Sequence, residues 1–119
     1  MLFACDPVEV VDRQLAAYQA GDLAGFVAMY APDAVVSDFP ATPLMTGHEE
    51  MRAGYASAFE DRQFTLTLGE RIVNGQFVID EEIIAVGGQE VARAVVVYRV
   101  EGCLIGRSWI MSQPSEGAQ

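Results

Sequence analysis

Apolar residues in the first part of the chain recur at helical spacing behind a recognisable helix start. Asp6-Pro7 followed by Glu9 suits such a start, because aspartate caps free N–H groups and proline fits the first turn. The pattern predicts a first helix over residues 7–20. Its inward stripe consists of Val11, Leu15 and Tyr18. Gln14 falls on the same face, so its amide needs a hydrogen-bond partner inside the protein.

A second, shorter helix follows after a tight break. Gly21 is placed to end the first helix, and Asp22 to cap the next one, which continues from Leu23 to Tyr30. Residues 31–33, Ala-Pro-Asp, are typical of a turn. The sequence therefore predicts two helices joined by a sharp change of direction.

The next segment combines a short strand with a third helix. Residues 34–39 have the composition of a strand, which Pro40 and Pro43 interrupt. Thr46-Gly47 leads into a helix that ends near Phe59. The inward stripe of this helix consists of Met51, Tyr55 and Phe59.

From residue 63 onward the chain is rich in β-forming residues. Four strands are predicted, over residues 63–73, 76–86, 91–101 and 103–112. Turn residues separate them, at Asn74-Gly75, Gly87-Gly88 and Gly102. Helices first and a meander of antiparallel strands afterwards indicate an α+β protein with one domain over residues 1–119, in which residues 114–119 form a frayed tail.

The third of these strands is apolar on both faces. One face carries Val91, Val95 and Val97, and the other carries Ala92, Ala94, Val96 and Tyr98. A strand with one wet face would alternate instead. Two explanations stay open: a homodimer formed through the outer face of the sheet, or a central strand that its own neighbours cover.

Composition and charge exclude several kinds of partner. Seventeen acidic residues against seven basic ones give a net charge of −10, so nucleic acid and anionic membranes would repel the protein. No apolar run is long enough to span a membrane, and residues 1–11 lack the basic start of a signal peptide, so we expect a cytoplasmic protein. Cys5, Cys103 and His48 show no paired spacing, which predicts reduced thiols and no metal site.

The order of elements, together with the segments AAYQAGDLAGFVAMYAPDAVVSDFP and TGHEEMRAGYASAF, resembles the nuclear transport factor 2-like (NTF2-like, SnoaL-like) superfamily. This superfamily includes ketosteroid isomerases and polyketide cyclases. The resemblance implies a cone-shaped α+β barrel, with three N-terminal helices packed on a curved, mainly antiparallel sheet around one apolar pocket. It does not decide the activity, because the same scaffold carries isomerases, cyclases, dehydratases and non-catalytic adaptors.

The resemblance also implies roles for individual residues. Asp38, in the segment AVVSDFP, stands where the isomerases have their catalytic base, although it could instead cap the turn before Pro40. Gln14 stands where they have an oxyanion-binding tyrosine, and a strand valine, Val96, where they have an acid. The usual steroid isomerisation is therefore not expected, and Gln14, Tyr18 or Tyr55 would contact the polarised oxygen.

Strand alternation extends the candidate site. With the inward face fixed by the resemblance, the even positions of residues 76–86 and the odd positions of the last strand point into the pocket. Asp80, Glu82 and Arg107 would then meet inside, either to orient a ligand or as an internal salt bridge. A slip of one residue would place all of them outside. Further candidates for the pocket wall are Trp109, Met51 and Tyr30, where plain core packing is the alternative for Tyr30 and Tyr55.

These observations predict a cofactor-free proton-transfer enzyme of isomerase, cyclase or dehydratase type. Its substrate would be a hydrophobic small molecule that carries a carbonyl group. The alternative is a non-catalytic module for ligand binding or dimerisation on the same fold. An adaptor for a protein partner would need an exposed apolar patch, and the sequence indicates none apart from the outer sheet face.

Overall fold

The structure is a computed structural model that describes residues 5–61 and 63–114. Helix α1 covers Pro7–Ala20, as predicted. The Asp6 carboxylate accepts a hydrogen bond from the Val8 N–H at 3.0 Å. Gly21 ends the helix in the left-handed conformation, with φ of 75°, which glycine adopts without steric cost.

Helix α2, Leu23–Ala28, is shorter than predicted, and the chain enters a strand immediately afterwards. Strand β1 covers Tyr30–Asp38, so the predicted turn over residues 31–33 is wrong. The register of β1 against the last strand is irregular between Tyr30 and Val35. A proline, which has no N–H to donate, is tolerated at such an irregularity.

The structure adds an edge strand that the sequence did not predict. Strand β2, Thr42–Thr46, contains Pro43 and pairs with β1 alone. Proline is compatible with an edge strand because an N–H on the free side of the strand has no partner to lose. Helix α3 then covers Gly47–Glu60, close to the prediction.

The last four strands confirm the predicted meander to within two residues. They are β3 (Phe64–Asn74), β4 (Phe77–Val86), β5 (Gln89–Glu101) and β6 (Leu104–Pro114). The sheet order is β2-β1-β6-β5-β4-β3, and only the β1–β6 pair is parallel. Because β2 and β3 are free edges, the sheet is curled but does not close, so the implied barrel is an open sheet. The predicted frayed tail, apart from Pro114, lies outside the described residues.

A bulge in β6 changes the face to which its side chains point. Arg99 pairs with Arg107, whereas the next residue of β5, Val100, pairs with Ile105, so Gly106 is the extra residue. An extra residue in one strand reverses the alternation beyond it. Ile105 and Ser108 are both buried while Arg107 is exposed. The predicted inward orientation of Arg107, and of Trp109 and Met111 after it, is therefore wrong.

Cys5 and Cys103 form a disulfide, which corrects the prediction of reduced thiols. Their Cα atoms lie 4.9 Å apart, and the bond joins the segment before α1 to the turn between β5 and β6. A crosslink over a separation of 98 residues stabilises a fold by about 4 to 5 kcal/mol in the chain-entropy account. Two single cysteines so far apart give no spacing signal, so the sequence could not indicate this pairing.

The helices cover one face of the sheet and enclose the core. Helix α1 packs over β3 to β6, and α3 packs over β1 and β2. The most deeply buried apolar residues are Val10, Val11, Val36, Met51, Val78 and Ile105. None of the helices in the described part of the chain is long and apolar enough to cross a membrane.

Candidate active site

A cavity of about 190 Å³ lies between the three helices and the covered face of the sheet. Its aromatic lining consists of Tyr18, Phe26, Tyr30, Tyr55 and Tyr98. The aliphatic lining consists of Leu15, Leu66, Ile84, Ala94, Val96 and Ile110. Only four further residues line it, Gln14, Glu82, Ser108 and Ser112. Glu82 is therefore the only carboxyl group of the lining, and no basic side chain is present in it.

A chain of buried hydrogen bonds crosses this cavity from β1 to β4. The Tyr30 hydroxyl donates to Gln14 Oε1 at 3.1 Å, and Gln14 Nε2 donates to the Tyr98 hydroxyl at 3.3 Å. Tyr98 in turn donates to Glu82 Oε2 at 2.7 Å. Gln14 Nε2 also donates to the Val11 carbonyl at 3.3 Å, which fixes the orientation of the amide. The partner that Gln14 was predicted to need is thus a pair of tyrosines.

The environment of Glu82 favours its protonated form. Its side chain is only 8% exposed, and burial raises its pKa from an ordinary value of 4.5 to about 7. The hydrogen bond from Tyr98 acts in the opposite direction, and the nearby charge of Asp80 adds to the increase. A carboxyl group with a pKa near neutrality can both take up and release a proton under physiological conditions.

The tyrosines around Glu82 stay neutral. Burial raises the pKa of Tyr30 and Tyr98 well above 10, and the negative charge of Glu82 raises both further. The Ser108 side chain hydrogen-bonds to Tyr30. Burial, followed by the charge of Glu82, also raises the pKa of Tyr55. Their hydroxyl groups therefore act as neutral hydrogen-bond donors and not as phenolates.

A second buried carboxylate, Asp80, lies outside the cavity and is paired with a cation. Arg71 Nε and Nη2 donate to its two carboxylate oxygens at 2.6 and 2.9 Å. Arg71 Nη1 also contacts Asp12 of α1 at 2.9 Å. The predicted partner, Arg107, is on the opposite face, whereas Arg71 is the direct neighbour of Asp80 in the β3–β4 pair. This fork joins α1 to the sheet and is not part of the cavity lining.

The predicted site residues divide into three groups. Gln14, Tyr18, Tyr30, Tyr55 and Glu82 line the cavity as a group. Two others are buried elsewhere, Asp80 in its ion pair and Met51 in the core. The remaining three are Asp38, which is exposed, and Arg107 and Trp109, which follow the bulge.

Asp38, the predicted base, is the last residue of β1. Alternation along the strand puts it on the same face as buried Val36, but its side chain is exposed and does not line the cavity. Its catalytic role stays a prediction. The geometry favours Glu82 for that role, because only Glu82 combines burial with contact to the cavity.

Sequence reasoning missed Tyr98 and Ser108 as parts of the site. Tyr98 is the one polar residue on the inward face of an otherwise apolar strand, a signal that could have identified it. Ser108 gave no such signal, because the bulge at Gly106 reverses the side-chain direction that simple alternation assigns. Within the described ranges, no group of three or more His, Cys, Asp or Glu side chains is placed to hold a metal ion.

Solved structures with the same fold span the whole chain. A cystatin-fold protein from Novosphingobium aromaticivorans is 23% identical with a TM-score of 0.79, covering 91% of this chain and 99% of its own. A candidate polyketide cyclase from Sinorhizobium meliloti is 19% identical with a TM-score of 0.73 and coverages of 90% and 100%. A candidate ketosteroid isomerase from Kribbella flavida is 14% identical with a TM-score of 0.74 and coverages of 92% and 78%. At these identities the likeness shows the fold alone.

The family assignment rests on the sequence. No curated protein sequence is significantly similar to this chain. The SnoaL-like domain profile, however, matches residues 11–107, which include most of the three helices and all the strands up to the middle of β6. The predicted superfamily resemblance is confirmed, and the chain belongs to the SnoaL-like domain family.

Proposed function

We propose that the protein is a cofactor-free proton-transfer enzyme that acts on a hydrophobic, carbonyl-bearing small molecule, with Glu82 as its acid–base group. One observation carries the proposal: a single carboxyl group faces a cavity that otherwise has neutral walls. Its pKa of about 7 matches the value at which proton uptake and release are both efficient.

The arrangement supports a two-stage reaction. The Glu82 carboxylate takes a proton from the carbon next to the carbonyl group, and negative charge develops on the carbonyl oxygen. The Tyr55 hydroxyl, which lines the same cavity, donates a hydrogen bond to that oxygen. Glu82 then returns the proton to another carbon, while Tyr98 holds the carboxyl group in place. Isomerases, cyclases and dehydratases of carbonyl compounds can all begin with this first step.

The test is hydrogen exchange at the carbon next to a ketone, followed by proton NMR in D₂O. We expect the Glu82→Gln variant to lose about 100-fold or more of the exchange rate, since general acid–base groups contribute about 10²- to 10⁴-fold. Glu81→Gln is the matched control, because Glu81 is adjacent in sequence, lies on the other face of β4 and pairs with Arg93.

Two results would count against the proposal. Undiminished exchange in Glu82→Gln would remove Glu82 from the chemistry. Binding of ketones by the wild-type protein without exchange would favour the alternative, a non-catalytic ligand-binding module. The second result has a physical basis, because the Glu82 carboxyl already has a hydrogen-bond partner in Tyr98 and needs no ligand to satisfy it.

We also propose that the outer face of the sheet packs against a second copy of the chain. Val97 lies between Ile79 and Trp109 on this face, and Val95 lies beside Met111. Such a continuous apolar surface is unfavourable in water. Light scattering should show a dimer that Trp109→Arg disrupts and that Leu44→Arg, at an exposed position of β2, leaves intact. A monomeric wild-type protein would refute this.

A cytoplasmic location stays a prediction. Disulfides such as Cys5–Cys103 persist mainly in oxidising compartments, so the bond weighs against that location. Thiol labelling of the protein in intact cells tests it, because a cytoplasmic protein should carry both cysteines in the reactive, reduced form.

A further inference from the structure

We infer that the substrate is an uncharged ketone or enone with a single ring, and that polycyclic, anionic and cationic molecules are excluded from the cavity. The inference rests on the proposed function for the carbonyl group. The limits on size and charge come from the volume of the cavity, the residues that line it and the packing of its aromatic rings.

The volume limits the substrate to about one ring. The cavity measures about 190 Å³. An apolar protein cavity of about 150 Å³ accommodates benzene, whereas pockets for drug-sized molecules measure about 300 to 1,000 Å³. The space in this protein therefore fits a six-membered ring with one or two small substituents and is too small for a fused ring system.

The lining excludes anions. No lysine, arginine or histidine contributes to the cavity wall, and Glu82 would repel a carboxylate or phosphate whenever it is ionised. The chain as a whole carries a net charge of −10, which lowers the concentration of anions near its surface. An anionic ligand would thus lose its hydration without gaining a cation in exchange.

The aromatic residues do not form a cage for a cation either. Organic ammonium groups bind over the open faces of aromatic rings. Here the rings pack against one another, with the Phe26 centroid 4.8 Å from Tyr55, 5.4 Å from Tyr30 and 5.5 Å from Tyr18. Neutral hydroxyl groups and the protonated form of Glu82 remain as the polar contacts, and these are donors that suit a carbonyl oxygen.

Leu66 and Ile84 set part of the size limit. They are direct neighbours across the β3–β4 pair, and both line the cavity. Shortening either side chain to alanine removes wall atoms and enlarges the space, to the extent that the surroundings do not collapse into it. Leu66→Ala and Ile84→Ala are therefore two independent ways to admit a larger ring system, so the test does not depend on one variant folding well.

The experiment measures ligand binding through the carboxyl-carbon NMR signal of Glu82 in ¹³C-labelled protein. The ligands are 2-cyclohexen-1-one, a bicyclic enone, a tetracyclic steroid enone, benzoate and benzylamine. We expect cyclohexenone to bind about tenfold or more tightly than the tetracyclic enone, a difference of about 1.4 kcal/mol. In Leu66→Ala or Ile84→Ala the bicyclic enone should gain affinity relative to cyclohexenone.

Three results would overturn the inference. The first is a tetracyclic enone that binds as tightly as cyclohexenone. The second is benzoate or benzylamine binding more tightly than cyclohexenone. The third is no detectable binding of cyclohexenone at all. Hydrogen exchange measured on the same ligands separates this inference from the proposed function: cyclohexenone that binds without exchange refutes the chemistry and leaves the size limit intact, whereas exchange on a tetracyclic ketone does the reverse.

Discussion

Asp80 and Glu82 lie two residues apart on the same face of β4, and the protein treats the two carboxylates differently. Asp80 is fully buried but has a two-pronged contact with Arg71, which also contacts Asp12. Glu82 is also buried, yet its hydrogen-bond partner is the neutral hydroxyl of Tyr98. One carboxylate has its charge compensated by a cation, and the other is left to exchange a proton.

This difference separates a structural group from a chemical one. A buried charge is costly unless a partner of opposite charge and further hydrogen bonds compensate for it. The Arg71–Asp80 pair meets that condition outside the cavity. Glu82 does not meet it, so its neutral form is favoured and its pKa lies near 7. The contrast predicts that substitutions around Asp80 change stability, and that substitutions around Glu82 change pH dependence and turnover.

The largest expected effect comes from removing the cation of the structural pair. Arg71→Met leaves the Asp80 carboxylate buried without its partner, and breaking such a pair costs about 3 to 5 kcal/mol. Because the Arg71 side chain is 21% exposed, we expect the lower end, about 3 kcal/mol, in the free energy of unfolding measured with urea.

Two controls sharpen this measurement. Arg99→Met removes a partner of the exposed residue Glu101 and should cost less than about 1 kcal/mol. The double variant Arg71→Met with Asp80→Asn removes the uncompensated charge and should recover part of the loss. Equal effects of Arg71→Met and Arg99→Met would mean that Asp80 does not depend on its cation.

The next effect in size is the pH dependence that Glu82 gives to stability. In the unfolded chain its carboxyl titrates near 4.5, and in the folded protein near 7. The folded state therefore binds the proton more tightly. The resulting stabilisation is complete below pH 4.5 and is lost as the pH rises through 7, and it amounts to about 3 kcal/mol.

Urea unfolding at several pH values tests this sign. Between pH 5 and 8 the wild-type protein should lose about 2 to 3 kcal/mol more stability than Glu82→Gln, whose side chain does not titrate. Other groups contribute equally to both proteins and cancel in the comparison. Parallel curves for the two proteins would show that Glu82 titrates as an ordinary exposed carboxyl group does.

The inward position of both carboxylates could be predicted from the sequence, because β4 is regular from residue 78 to 84 and its side chains alternate. The same reasoning failed for Arg107, since one extra residue at Gly106 reverses the alternation in β6. It also failed for Val86, which is 44% exposed at the end of β4.

Long-range pairings were the other limit of the sequence. The need of Gln14 for an internal partner followed from its place on the apolar face of α1, but which hydroxyl groups meet it depends on how β1 and β5 pack against that helix. The Cys5–Cys103 bond has the same character. Local pattern thus predicted the elements and their buried faces, whereas contacts between distant elements required the structure.

The smallest expected effect is at Asp38, the residue to which the family resemblance assigned the chemistry. Its carboxylate is exposed at the end of β1, and bulk water already solvates it, so no buried interaction is lost in Asp38→Asn. We expect a change below about 0.5 kcal/mol in stability, as for most surface substitutions. Exchange of ketone protons should stay within about twofold of the wild type, against the loss of about 100-fold expected for Glu82→Gln. A loss in Asp38→Asn as large as in Glu82→Gln would mean that the exposed carboxylate reaches the substrate at the mouth of the cavity, and the division of roles between Glu82 and Asp38 would have to be reversed.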